Sequence, residues 1–293
     1  MPDLAVHYYF GQSVLSSLKD SCSIDKGTFD FALSGPDDWF YCFTDRKKNP
    51  RGVYMHRHKT GAFLQALAAE PVLFSYCAGY LCHYILDATC HPYIIARTGT
   101  YDYTGKTKEY RGNHTALERA LDRWILEEKG STGRHMSEYM LGKPLPQSLE
   151  QAMNRAYFTV FKWGDVYQDL LMAKRRMKLY LHFLEDPHGL SKLATDLFPH
   201  PLLRPLPYSR EFYVGEDILN LEHKEWHHPQ DVSLRSTLSF PELLEEARQE
   251  VVNIILAVSR GDLSLIGNRS YMNGFDLDDA RCKAPETYDL LKK

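Results

Sequence analysis

The chain has 293 residues, 44% of them hydrophobic and 25% charged, the proportions of a folded globular protein rather than a disordered or fibrous one. A net charge of −3 gives no electrostatic reason to bind nucleic acid or an acidic membrane face. No stretch reaches the roughly 18 apolar residues of a membrane span, and the opening "MPDLAVHYYFGQSVL" lacks the features of a secretory signal, so a cytoplasmic location is expected.

Apolar residues recur at helical spacing near 4–18, 60–69, 72–95, 114–129, 148–162, 166–185 and 240–259, and predict helices there. "GPDDWF" (35–40) and "KKNPRG" (47–52) read as turns. Residues 186–238, rich in Pro and His, read as a long irregular stretch, either a wrapping arm or a domain junction. In "SFPELLEE" (239–246), Ser239 is the N-cap of a capping box completed by Glu242, with Pro241 in the first turn. No alternating β-branched run is long enough to predict a sheet. The expected class is therefore all-α: one domain over 1–293, with a motif-bearing half (1–130) and a helical remainder (131–293). The basic runs "RKKNPR" (46–51) and "AKRRMK" (173–178) read as solvated faces. The six cysteines (22, 42, 77, 82, 90 and 282) include no Cys-x-x-Cys pair and read as reduced, mostly buried thiols.

One predicted helix carries a contradiction. "GYLCHYILDATCHPY" (79–93) is strongly apolar, yet places His83, Asp87 and His91 four residues apart. Steps of four drift only about 40° around a helix, so the three side chains share one face. Buried, they are costly unless they satisfy one another or hold a cation between them. Cys82 and Cys90 each sit one position from a stripe histidine, pointing about 100° away, and read as core packing. "HTALE" supplies a second i, i+4 pair, His114 with Glu118. Six histidines (7, 56, 58, 83, 91 and 114) fall in the first 114 residues, interleaved with Asp37, Asp87 and Glu118. For any single pair, a polar network within a helical core is the simpler reading. The ordered series favours metal, because imidazole and carboxylate on facing helices suit zinc in an open catalytic geometry.

That order of motifs resembles the zinc-dependent phospholipase C family. The matching pieces are "PDLAVHYYFG" (2–11), "GPD" (35–37), "MH" (55–56), "CHYILDATCHPY" (82–93) and "HTALE" (114–118). The likeness is nearest to a branch of shorter, phospholipase C-like proteins common in Gram-positive anaerobes, and "LNLEHKEWHHP" (219–229) is similar to that branch as well. The resemblance implies an all-α bundle of phospholipase C/zinc nuclease type holding two to three Zn²⁺ per chain. It implies one zinc with Asp37, His56 and His83, a second with His91, His114 and Glu118, and a third with His7, Asp87 and the amino-terminal amine. In the secreted relatives that amine belongs to a processed tryptophan. Here Pro2, after removal of Met1, would supply it, since an α-amino group near pKa 8 can give up its proton to a metal. A second departure is the single helical step from Asp87 to His91. His58 rivals His56, and the "Met-His" context favours His56.

Five neutral imidazoles and three carboxylates leave such a shell at −3, and three Zn²⁺ would bring it to +3, attractive to a phosphate group. The expected function is a zinc-dependent phosphodiesterase of phospholipase C type, with Asp37 orienting the attacking water or taking its proton. The expected partner is a phosphodiester substrate, a phospholipid being one option. Two alternatives stand beside it: the same metal chemistry on single-stranded nucleic acid, which the net charge disfavours, and a non-catalytic zinc-bound helical scaffold. The loop 95–113 carries Tyr101, Tyr103 and Lys106, candidates for substrate binding if it is a lid, although a solvated connector is the simpler reading. "EHKEWHHP" (222–229) reads as a packing cluster rather than a second metal site, with Trp226 a candidate pocket lining. No β-sandwich for membrane docking is apparent in 200–293.

Overall fold

The computed structural model describes residues 4–42, 47–48, 50–99, 108–132, 135–185, 193, 197 and 217–284. It is an all-α fold with one small hairpin. In chain order the helices are α1 (Leu4–Leu18), α2 (Lys26–Ala32), α3 (Pro50–Arg57), α4 (Thr60–Ala68) and α5 (Phe74–Thr98). Then follow α6 (Lys108–Glu128), α7 (Met136–Tyr139), α8 (Glu150–Phe161), α9 (Val166–Leu184) and α10 (Phe240–Ser259).

The organising element is α5. Between Phe74 and Ala96 its only charged residue is Asp87, and a helix apolar on all sides must be surrounded. It is buried along nearly its whole length, with α1, α2, α4, α6 and α10 packed around it. Cys77, Cys82 and Cys90 are buried in this core, and the described cysteines are free thiols. Pro92 sits inside α5 and cannot donate to the Ala88 carbonyl one turn back. Gly274 packs against that oxygen: at φ +70° it has no side chain, and a Cβ there would lie 2.4 Å from Ala88 O.

The capping box opens α10 as expected, with Glu242 N–H donating to Ser239 Oγ and Ser239 N–H to Glu242 Oε2 at 2.8 Å.

Several boundaries differ from the expectation. Residues 47–48 do form a turn, but Pro50 begins α3, because proline's fixed φ and absent N–H suit a helix's first position. "GPDDWF" lies in a 3₁₀ helix, Gly35–Tyr41. The short α2 carried no long periodic pattern; it is started by Asp25, whose Oδ1 accepts from Thr28 N–H at 2.8 Å. The expectation of no sheet is corrected by an antiparallel hairpin, β1 (Trp226–His228) and β2 (Asp231–Ser236), with Trp226 opposite Ser236. Its strands are too short and too exposed to give an alternating apolar signal. No single described helix is long and apolar enough to cross a membrane.

Candidate metal centre

The expected stripe exists. His83, Asp87 and His91 are fully or almost fully buried on one face of α5, and His7 of α1, His56 of α3, and His114 and Glu118 of α6 face it. Asp37 enters from the 3₁₀ turn at the edge of the cluster, its side chain 15% exposed. His58 is on the surface against Tyr54, rings 4.6 Å apart, so His56 is the histidine brought to the cluster.

Asp87 is the hub. Its Oδ1 lies 3.3 Å from His7 Nε2, and its Oδ2 lies 3.1 Å from His83 Nε2 and 3.8 Å from His56 Nε2. His56 Nε2 is 3.2 Å from Asp37 Oδ1, and His114 Nε2 is 2.8 Å from Glu118 Oε1. Three sets of side chains bring ligating atoms within 4.8 Å of each other: Asp37, His56 and His83; His91, His114 and Glu118; and His7, His83 and Asp87.

The imidazoles are aimed from behind. The Nδ1 of His56 bonds to Gly52 O at 2.7 Å, that of His83 to Leu33 O at 3.0 Å, that of His91 to Tyr271 O at 2.5 Å, and that of His114 to Gly99 O at 3.2 Å. A carbonyl only accepts, so in each ring Nδ1 carries the proton and Nε2 is left as a lone-pair donor facing inward. This is the outer hydrogen bonding that metal-binding histidines require.

Several of the inward atoms make no hydrogen bond of ordinary geometry. His7 Nε2, His83 Nε2, His91 Nε2, Asp37 Oδ1 and both oxygens of Asp87 are buried without a hydrogen bond among the described residues. So many orphaned polar atoms converging in a core are costly unless a cation joins them. Burial holds His7, His91 and His114 below the ordinary imidazole range, favouring the neutral ring a metal needs. Burial opposes charge on His83 too, but the carboxylates of Asp87 and Asp37 outweigh it and raise that pKa. Burial would raise Asp87, yet the charges of His83 and His91 and the close approach of His7 and His83 hold it well below the carboxylate range. A neutral-nitrogen and carboxylate-oxygen donor set without thiolate fits Zn²⁺.

His83 has one free nitrogen, because Nδ1 is committed to Leu33. It cannot serve two metals, so two of the three sets are complete on described residues, while His7 and Asp87 remain a pair wanting another donor. Pro2, proposed as that donor, lies outside the described residues, as do Tyr101, Tyr103 and Lys106.

Several supporting residues gave no motif signal. Asp122, one turn beyond Glu118, accepts from the N–H groups of Ala5 and Val6 at 2.9 Å and fixes the start of α1, hence His7. Lys174 stands in a run expected to be a solvated face, yet it is buried. Its Nζ lies 2.9 Å from Asp38 Oδ1 and also donates to Ser34 Oγ, bracing the turn that presents Asp37. Gly35 has φ +50°, and a Cβ there would lie 2.5 Å from the His83 ring. Tyr271 contributes its carbonyl to His91 and its ring to His56, centroids 5.2 Å apart. Trp226 packs on Tyr93, centroids 5.4 Å apart, with Nε1–H donating to Leu238 O, so it belongs to the core rather than to the metal cluster.

Histidines and carboxylates from helices around a buried core form a candidate metal centre. Residues 2–146 match the family described as zinc dependent phospholipase C, and through that segment the chain belongs to the family. No curated protein and no solved structure matches the chain.

Proposed function

We propose that this member of a zinc-dependent hydrolase family cleaves phosphodiesters, with a phospholipid headgroup ester as the substrate class. The observation that carries the reading is the set of four imidazoles whose Nδ1 atoms are tied to backbone carbonyls while their Nε2 atoms converge on Asp87, Asp37 and Glu118. Zinc held there would polarise a phosphoryl oxygen and bring the pKa of a coordinated water to about 7, so that it can attack phosphorus. Asp37, His56 and His83 would hold one ion and His91, His114 and Glu118 a second. His7 and Asp87, joined by the Pro2 amine, would hold a third.

The chain's own residues do the rest. Asp37, the most exposed of the ligand carboxylates, accepts the proton of the attacking water or orients it toward phosphorus. Asp87 balances charge at the bottom of the site, where no solvent can. The buried ring of Tyr271, packed against His56 and His83, lowers the local dielectric and strengthens the charge–charge interactions there.

The test is hydrolysis of phosphatidylcholine, single-stranded DNA and a chromogenic phosphodiester by chelated protein and by protein given zinc back. Zinc-restored cleavage of the lipid and the chromogenic ester, exceeding that of DNA, is the expected result. Preference for DNA replaces the substrate class, and no hydrolysis by zinc-loaded protein defeats the proposal.

A further inference from the structure

Outside the central cluster, a second kind of ligand set stands at the junction of α7 and α9. His135, the residue before α7, His182 in the last turn of α9, and Glu185, its C-cap, bring one ligating atom each within 4.8 Å of the others. We propose that these three side chains form a peripheral divalent-metal site, separate from the phosphodiesterase centre, that takes Zn²⁺ and completes its coordination with water.

Two histidines and one carboxylate form a donor set that zinc uses when it keeps an open position. The three residues come from two elements, and two are three residues apart on α9, where side chains share a face. The acid is already aimed. Glu185 Oε1 accepts from Ser137 N–H at 2.9 Å, which fixes the carboxylate, and Oε2 lies 2.5 Å from His135 Nδ1. The side chain of Glu185 is only 8% exposed, while that of His135 is 36% exposed, so the site opens to solvent on one side. The rings of His135 and His182 are 4.9 Å apart between centroids. Tetrahedral zinc with bonds near 2.05 Å needs donors about 3.3 Å apart. The ligating atoms already lie within 4.8 Å of one another, and the exposed His182 side chain has room to turn toward a metal.

The location gives the site a consequence. A metal there would tie the end of α9 to the start of α7, two elements already packed together, and so add to stability. The site shares no residue with the central ligand sets, so its occupancy does not depend on what the centre hydrolyses.

The test is equilibrium dialysis of purified, metal-loaded protein against excess zinc, with metal per chain counted for wild type, His182→Ala and Glu185→Gln. The second variant keeps an oxygen for Ser137 N–H, which guards against misfolding. The expected result is one zinc fewer per chain in each variant, with phosphodiester hydrolysis within about twofold of wild type. Excess zinc should also raise the wild-type Tm by about 2 °C or more and leave that of His182→Ala unmoved. Equal metal content in all three proteins overturns the proposal. So does loss of more than one equivalent or of activity, because the residues would then belong to the central cluster.

Discussion

Lys174 Nζ and Asp38 Oδ1 form a 2.9 Å ion pair with both side chains buried, next door to the carboxylate of Asp37. Burial alone pushes the Asp38 carboxyl upward, and Lys174 and Ser34 oppose that shift. Replacing Lys174 with Met leaves Asp38 buried without its cation. That costs about 3–5 kcal/mol, the usual penalty for breaking a buried pair from one side. Urea unfolding should report the loss, and hydrolysis should fall with it because the Asp37 turn loses its brace. Wild-type stability in Lys174→Met would show the pair to be idle.

A replacement at Asp87 tests the hub. Asp87→Ala removes both oxygens that face His7, His56 and His83, so at least one zinc per chain should be lost. Activity should drop by more than about 100-fold, the upper range for residues that merely support a ligand. Asp87→Asn keeps the shape but not the charge and should also lose metal. Elemental analysis showing full zinc in both variants would remove Asp87 from the ligand set.

Gly35→Ala places a methyl 2.5 Å from the His83 ring at a φ of +50°, where neither the backbone nor the ring can give way freely. The expected outcome is a 10–100-fold weaker hold on one zinc, read by chelator competition, with helix content by circular dichroism unchanged. Unaltered zinc affinity would mean that His83 is not held against this turn.

Part of the candidate ligand set was legible in the sequence because helix geometry makes i, i+4 spacing a statement about space. His7, Asp37 and His56 joined it only through the family resemblance. His83, Asp87 and His91, and His114 with Glu118, could be put on faces before any fold was known. The all-α class followed from the same periodicity. What periodicity could not supply was the backing. The carbonyls of Leu33, Gly52, Gly99 and Tyr271 belong to the backbone, and every residue has one. Tyr271 is 180 residues from the histidine it orients. Lys174 was misread for a related reason: in "AKRRMK" its charge resembles its neighbours', and only the fold turns it inward. Asp122 was closer to reach, since it continues the His114–Glu118 stripe by one more turn.

Acid should unfold the metal-stripped protein. Burial depresses the folded-state pKa of His7, His91 and His114 below 6.5. In the unfolded chain these rings take up protons first as pH falls, so the unfolded state binds more protons and stability is lost below about 6.5. His83, with its pKa raised, works the other way: its contribution is present below 6.5 and disappears as pH rises through its folded value. Asp87, held well below 3.8, is ionised in the folded state throughout the neutral range, and its contribution goes only when pH falls below 3.8. Three depressed imidazoles outweigh one raised, so Tm should fall steadily between pH 7 and 5 and drop again in strong acid. Zinc-loaded protein should resist until the metal leaves, because binding to the folded state adds its own free energy and histidines must lose protons to bind. Differential scanning calorimetry of stripped and loaded protein across this range measures both curves. A Tm of the stripped protein that stays level or rises on acidification would show that these histidines are not held neutral by burial, and the argument for their readiness as ligands would fail with it.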